Sequence, residues 1–361
     1  MATNETNIEA ENLPALELSV IVPARNEASS IGDCLRSLVD QSEPGFALGQ
    51  QWELIVIDDD STDGTRAIVE EIAAGLAGVT VMSAPPLDLG PRGGFTGKSN
   101  ACWSGAQRAR GEWLLFTDAD TVHRPGDLSR SIREAERHKL SLLSYSPHQV
   151  TTTFWQQAVM PLVYSELASV YPPEKIADPE SRVAAANGQY LLVERDAYFS
   201  VGGHRAVGPN VLEDVALARN IKKGRRAIRL RYAPEALSTR MYRTTGEMIE
   251  GWTKNLALLM PSPVSLAMWR LLDFALFFGL PALAYVLPPR FPAQWAVFLL
   301  LWVRTCFRFY NRVMRAHFPL FETVISILGI PLFVYLLLSS VVHHRILKKV
   351  SWKGRSYSTG R

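Results

Sequence analysis

The sequence predicts an α/β domain with a mostly parallel sheet, followed by a C-terminal helical membrane region. Three observations lead there. Up to about residue 260, short uncharged runs bounded by turn residues alternate with segments of helical apolar spacing. Charged side chains gather where those runs end. Beyond residue 260, long uncharged stretches replace the alternation. The chain has 361 residues, 47% hydrophobic and 20% charged, rather apolar for a wholly soluble enzyme and long enough for roughly two domains.

Residues 1–16 are acidic and polar, with no apolar h-region, so they read as a flexible lead-in and not as a signal peptide. Leu18–Val22 is the first buried strand, closed by Pro23 and followed by Ala24, Arg25, Asn26 and Glu27. Ile31, Leu35, Leu38 and Val39 then fall on one helical stripe, with Ser29 or Ser30 as N-cap. Glu53–Ile57 repeats the unit: it ends in Asp58, Asp59 and Asp60, and residues 61–64 cap a helix to about Ala74. A strand near Val79–Met82 leads to a Pro- and Gly-rich loop, Ala84–Gly97, and to a helix that Lys98 opens and Gly111 ends. Strands and helices alternating at this spacing argue for right-handed crossovers in a parallel sheet, with ligands bound beyond the carboxyl ends of the strands.

Leu114–Asp120, LLFTDAD, is the next strand. Read as one extended run, it sends Asp118 and Asp120 off the sheet edge on the same side, because residues i and i+2 of a strand share a face. Two carboxylates that close repel unless a cation sits between them, and hard oxygen ligands suit Mg²⁺ or Mn²⁺ carrying a diphosphate. Further on come a strand at Leu140–Ser146, a helix near Phe154–Val170 and a strand at Gln189–Val193, with Asn187-Gly188 and Gly202-Gly203-His204 marking turns. The helical spacing of Val211–Ala218 places Asp214 in a first turn, where the macrodipole favours a carboxylate. Asp214 is therefore expected to stay ionised at neutral pH and to accept a proton.

PARNE, IDDDSTDGT, TGKSNA, TDAD and VLED occur in this order over about 200 residues. Together they resemble the family 2 inverting glycosyltransferases. The resemblance covers roughly residues 17–246 and implies a single Rossmann-like, nucleotide-sugar-binding domain of GT-A type. It also implies roles: Pro23, Ala24, Arg25, Glu27 and Asp58 or Asp59 hold the base and ribose, and Lys98 faces the diphosphate. Asp118 lies near the sugar and ribose, Asp120 binds the metal with Asp118 beside it, and Asp214 is the general base. Asn187, Gln189 and Glu213 are further candidates for the substrate side. Asp60 stands where the family usually has Gly, leaving open which of Asp58, Asp59 and Asp60 meets the nucleotide.

GFTGKSNAC, AANGQYLL and VLEDVALA, followed by apolar segments, resemble the bacterial branch associated with hopanoid and carotenoid glycosylation. No QxxRW motif follows Asp214; the nearest aromatic-basic stretch is Gly251–Asn255. The expectation is a non-processive hexosyltransferase that moves one sugar from a nucleotide-diphosphate sugar, a UDP-sugar in the first instance, to a hydroxyl or carboxyl group of a membrane lipid. The rivals are transfer to a polyprenyl phosphate, a nucleotidyltransferase, and an inactive, membrane-tethered nucleotide-sugar-binding protein.

Leu266–Leu287, Phe291–Val303 and Phe318–Val342 are the long apolar stretches of an interfacial and transmembrane region, 247–361. Arg270 and Asp273 would sit at the interface, and Arg304, Arg308, Arg312 and Arg315 would face anionic headgroups. The basic residues of 343–361 point to a lipid bilayer and a cytoplasmic flank, not to nucleic acid. A nucleotide-sugar donor also puts the catalytic domain, 17–246, on the cytoplasmic side of a bacterial inner membrane. Three widely spaced cysteines, Cys34, Cys102 and Cys306, fit a reducing compartment without a disulfide framework.

Overall fold

The computed structural model describes residues 16–87, 95–287, 291–347, 349–352 and 355–358. The main sheet holds β1 (Leu16–Ala24), β2 (Trp52–Asp58), β3 (Val79–Ser83), β4 (Gly111–Thr117), β5 (Leu142–Ser146), β6 (Tyr190–Glu194) and β7 (Ile228–Tyr232). Their order across the sheet is β7-β5-β6-β4-β1-β2-β3. Only β6 runs against its neighbours; the other pairings are parallel. The expected flexible segment 1–16 lies outside the described residues except for Leu16, which already belongs to β1.

β1 is buried on both faces, as a central parallel strand must be. Leu18, Val20 and Val22 join one core with Leu35 and Leu38 of α1 (Ile31–Val39). Ile21 joins a second core with Ile55, Ile57 and the small residues Ala101 and Ala106 of α3 (Gly97–Arg108). Between these helices, α2 (Thr65–Ala73) follows β2. Part of the expected loop Ala84–Gly97, residues 88–94, lies outside the described residues.

Helix α4 (Asp127–Arg137) follows a short strand, Thr121–His123, that pairs with Leu237–Thr239. Leu237–Thr239 also pairs with His148–Gln149, making a small second sheet beside the first. After β6 come short helices at Arg195–Ser200 and Gly203–Val207, so the Gly-Gly-His segment opens a helix as well as a turn.

The packing crosses the expected boundary at 246. Helix α5 (Phe154–Val170) shares a third core with α7 (Thr245–Leu259), α8 (Pro263–Val286), α9 (Pro292–Val313) and α10 (Leu320–Val342). Gly329 is the closest approach: a Cβ there would lie 2.3 Å from the Ala158 carbonyl oxygen, so only a glycine lets α10 cross α5 at this depth. Pro331 sits inside α10 without ending it.

Charge reinforces this junction and corrects two expectations. Arg270 and Asp273 do not reach an interface: both are buried and pair with each other at 2.9 Å. Glu166 of α5 lies 3.6 Å from both Arg270 and Arg312, and Arg308 pairs with Asp273. Two members of the anticipated headgroup stripe are thus committed to acids on neighbouring helices, because a buried carboxylate requires a cation more than a lipid surface does. Two helices, Pro263–Val286 and Leu320–Leu347, are long and apolar enough to cross a membrane. Of the basic tail, Lys349–Trp352 and Arg355–Ser358 pair as a hairpin, while Lys348, Lys353 and Arg361 lie outside the described residues.

Candidate active site

The carboxyl ends of β1 and β4, the first turn of α3 and the first turn of α6 (Glu213–Lys223) converge on one cleft, while Asp58 and Asp59 at the end of β2 do not line it. It is lined by Pro23, Lys98, Asp118, Gly188, Glu213 and Asp214, together with Cys102, Thr117 and His204. Lys98, in the first turn of α3, reaches Asp118 Oδ1 at 2.6 Å and Glu213 Oε1 at 3.3 Å. Thr96 caps that helix by accepting from the Ser99 amide, which fixes where Lys98 leaves it. Burial works against the Lys98 charge, but Asp118 and Glu213 outweigh it and hold the ammonium well above its ordinary range.

Asp214 is held by backbone. The Gly188 amide donates to its Oδ2 at 2.9 Å, and the Val215 amide to its Oδ1 at 2.7 Å. Its ionisation differs from the helix-dipole expectation: removal from water, then the neighbouring Glu213 carboxylate, push it up to about 6. These two effects exceed what Lys98 and the Val215 and Gly188 amides return. Burial also opposes the Glu213 charge, yet Lys98 and Lys254 pull that group down, so the two neighbours are driven apart.

The Asp118–Asp120 segment is not extended. β4 stops at Thr117, and Thr121 donates from both its amide (3.2 Å) and its hydroxyl (2.7 Å) to the Asp118 carbonyl, closing a turn. Asp118 faces the cleft, while Asp120 lies round the turn, its carbonyl accepting from Thr239 Oγ1 at 3.1 Å. Among the described residues no three His, Cys, Asp or Glu side chains gather as a metal-ligating group. The donor chemistry still fits a hard divalent cation, since Mg²⁺ is usually held by one or two carboxylates plus substrate phosphates and not by an all-protein cage.

Asp58 and Asp59 are buried, and Asp58 Oδ1 has no hydrogen-bond partner among the described residues. Asp60 differs: its φ is +57°, in the left-handed region that favours glycine, and its side chain is 84% exposed, 3.8 Å from Arg25. Arg25 also donates to the Asp59 and Asp60 carbonyls at 2.5 and 3.0 Å, tying the turn after β1 to the turn after β2. The Ala24 carbonyl accepts from the Asp59 amide, and the Glu27 amide donates to Thr65 Oγ1 at 2.7 Å, in the same pair of turns.

Asn187 and Gln189 do not line the cleft. Asn187 Oδ1 accepts from the Gln189 amide at 3.0 Å and its Nδ2 donates to Gln189 Oε1 at 3.2 Å, so the pair shapes the turn that presents Gly188. His204 is buried against Tyr198, 2.9 Å from its hydroxyl, and burial depresses it to about 4. His123 pairs at 2.7 Å with a buried Asp127 and serves the fold. One contributor escaped the sequence reading. Lys254 on α7 lies close enough for its charge to act on Glu213, Asp118 and Asp214, and burial lowers its own affinity for the proton. The only signal was its place in the aromatic-basic stretch Gly251–Asn255.

The glycosyl transferase family 2 model matches residues 19–187. A 4,4'-diaponeurosporenoate glycosyltransferase of Staphylococcus haemolyticus is 28% identical to this protein over 356 residues, 94% of this chain and 88% of that protein. A protein of the same name from Staphylococcus aureus (strain MRSA252) is 27% identical over 245 residues; there the match spans 66% of this chain and 60% of the relative's length. Among solved structures, a mannosyltransferase from Pyrobaculum calidifontis in complex with GDP-Man and Mn²⁺ superposes with a TM-score of 0.52 at 16% identity, over 93% of this chain and 90% of that one. The fold is thus of GT-A type, an α/β domain with a mostly parallel sheet.

Proposed function

We propose that the protein is an inverting, non-processive glycosyltransferase that moves one sugar from a nucleotide-diphosphate sugar to a hydroxyl or carboxyl group of a carotenoid- or hopanoid-like membrane lipid. The observation that carries this reading is Asp214, fixed by the Gly188 amide in the same cleft as the Lys98–Asp118 pair. In this reading Asp214 Oδ2 takes the proton of an acceptor hydroxyl as its oxygen forms a bond to the anomeric carbon. The bond from that carbon to the diphosphate breaks, its electron pair leaving with the nucleotide, and inversion follows. Glu213 stays ionised beside Lys98 and Lys254 and keeps the proton affinity of Asp214 near neutrality, where a general base is most useful.

Pro23, Ala24, Arg25, Glu27, Asp58 and Asp59 form the nucleotide side, and Lys98 faces the diphosphate. Asp120, with Asp118, would hold Mg²⁺ or Mn²⁺, which neutralises charge on a departing diphosphate. The Mn²⁺ and GDP-Man of the archaeal mannosyltransferase support a metal and a nucleotide-sugar donor, and leave the base open between uracil and guanine. The names of the staphylococcal relatives support a carotenoid-type acceptor. The C-terminal helices would anchor the chain in the inner membrane, both chain ends facing the cytoplasm, and bring a lipid acceptor to the cleft.

The test is to incubate membranes holding the protein with a panel of nucleotide sugars and extracted lipids, and to identify the glycolipid by mass. One lipid gaining one hexose, with loss of product on chelation and recovery with Mg²⁺ or Mn²⁺, supports the reading. A nucleotidylated product, or none from any donor, sinks it. Retained transfer by Asp214→Asn would favour an acceptor that is already an anion and needs no base, a lipid carboxylate or a polyprenyl phosphate, and the mass of the product separates those two.

A further inference from the structure

Helix α10 is held to the catalytic domain at both ends. Just before it, the His317 ring stacks on Tyr232 of β7, the centroids 5.1 Å apart and the planes at 8°. In its first turn, Glu322 Oε1 accepts from the Thr151 hydroxyl at 2.8 Å, and midway Gly329 lies against Ala158 of α5. Towards the other end, the Ala257 amide of α7 donates to Ser340 Oγ at 2.8 Å. One turn further, His344 Nε2 lies 2.6 Å from the Lys254 carbonyl oxygen. Along a helix, Glu322 and Ser340 stand about 27 Å apart, nearly the ~30 Å of a hydrocarbon core.

A span cannot keep these contacts. If α10 crossed, Ser340 would reach the far face and take α7 with it, whereas Lys254 of α7 acts on the charges of Glu213, Asp118 and Asp214 in the cleft. α5 would have to follow as well. It is tied to the sheets on both sides: His148–Gln149 is a strand of the small sheet just before it, and Ile176 joins the core of the main sheet just after it.

What α10 leaves bare is one stripe. Leu320, Val324, Leu328, Tyr335, Leu338 and Val342 are exposed from end to end, while the other faces are buried against α5, α7 and α8. An unbroken apolar stripe on a helix otherwise covered suits a lipid surface lying along that helix. Exposed Arg315 before it and Arg345 after it are placed for anionic headgroups. α8 and α9 differ. They pair with each other through Asp273 and Arg308 and through Trp302 Nε1, which donates to the Phe277 carbonyl at 2.9 Å. Beyond that pairing, residues 278–287 and 291–301 carry no charge and are exposed on nearly every side.

We propose that α10 does not cross the bilayer but lies along its cytoplasmic surface with the bare stripe sunk into lipid, and that the α8–α9 hairpin is the part that enters. The inference rests on the membrane-anchored reading and deepens it. α10 ends against Lys254, so a lipid lying beside the stripe brings its reactive end to the cleft without leaving the membrane.

The test uses the full chain with Cys306→Ser, in which the remaining cysteines, Cys34 and Cys102, are buried. Pro319→Cys and Arg345→Cys, at exposed positions beyond the two ends of α10, are made singly and treated with a membrane-impermeant maleimide in right-side-out and inside-out vesicles. Labelling of both from the cytoplasmic face alone is the expected result. Labelling of the two from opposite faces overturns the proposal and leaves the anchoring intact. A second measurement does not depend on reagent access: a short bismaleimide is applied to Thr151→Cys with Glu322→Cys, and to Ala257→Cys with Ser340→Cys, in the same membranes. Both pairs should join; either pair left unjoined shows that end of α10 away from the catalytic domain and overturns the proposal. Release of the wild type from membranes by alkaline carbonate overturns the anchoring and the proposal together.

Discussion

The Gly188 amide donates to Asp214 Oδ2 across 2.9 Å, so the turn before β6 sets the direction of a carboxylate that opens α6, 26 residues further along the chain. Replacement of Asp214 by Asn should lower turnover by roughly 10²–10⁴-fold, the usual worth of positioned proton transfer, with nucleotide binding little changed. Because the base must be unprotonated, kcat/KM of the wild type should fall as pH drops through about 6. A flat profile between pH 5 and 8, or near-normal turnover by Asp214→Asn, would remove the role.

The same shift has a thermodynamic face. The folded state holds the Asp214 proton up to about 6 against an ordinary 3.8, so it binds more proton than the unfolded chain between about pH 4 and 6. Stability therefore declines as pH climbs through that window and stays lower above it. Asp214→Asn should be more stable than wild type by about 1 kcal/mol at pH 7.5, after allowance for solvent screening and a weakened hydrogen bond, and no more stable at pH 4. Thermal melts at the two pH values decide it.

A Cβ at residue 188 would lie 3.0 Å from Lys98 Nζ and 3.5 Å from Asp214 Oδ2. Gly188→Ala should thus leave the melting temperature nearly unchanged, because a lysine head can move, but lower kcat by about tenfold or more through misplacement of two charged groups. An alanine variant with wild-type kcat would show that the cleft tolerates the displacement.

Asp60→Gly should stabilise the fold by about 1 kcal/mol, since it relieves a left-handed non-glycine residue whose side chain is mostly in water. Arg25 keeps its two carbonyl contacts, so donor affinity should hold. A denaturant titration showing no gain, or a loss of nucleotide affinity, would mean that the Asp60 carboxylate matters more than its backbone.

Asp273→Ala leaves the buried Arg270 without its 2.9 Å partner and frees Arg308. Breaking a buried pair from one side typically costs about 3–5 kcal/mol, so the variant should melt far earlier in detergent. A melt within a degree of wild type would show that water or lipid headgroups satisfy these arginines.

Strands β1, β2, β4 and β6 were legible because apolar runs closed by Pro, Asp or turn residues mark a buried strand and its carboxyl end together. β7 was not: Arg229 and Arg231 interrupt its pattern, and both reach Glu134 of α4, a partner nearly 100 residues away. α4 itself hides behind charge, burying only Leu128, Ile132 and Ala135 among apolar residues. Local signals placed Lys98, Asp118 and Asp214 at element ends, but the turn at 118–121 and the upward shift of Asp214 arise from contacts between distant segments. Lys254 enters from a helix that the apolar count assigns to the other region.

Helix α5 answers to two masters: its sequence neighbours build the sheet, while Ala158 and Glu166 are satisfied by Gly329, Arg270 and Arg312. A chain cut after residue 246 would strip that helix of its cover and leave a carboxylate facing nothing positive. Attempts to prepare the sheet as a separate fragment would yield aggregate, because the face of α5 that the later helices cover would be left open.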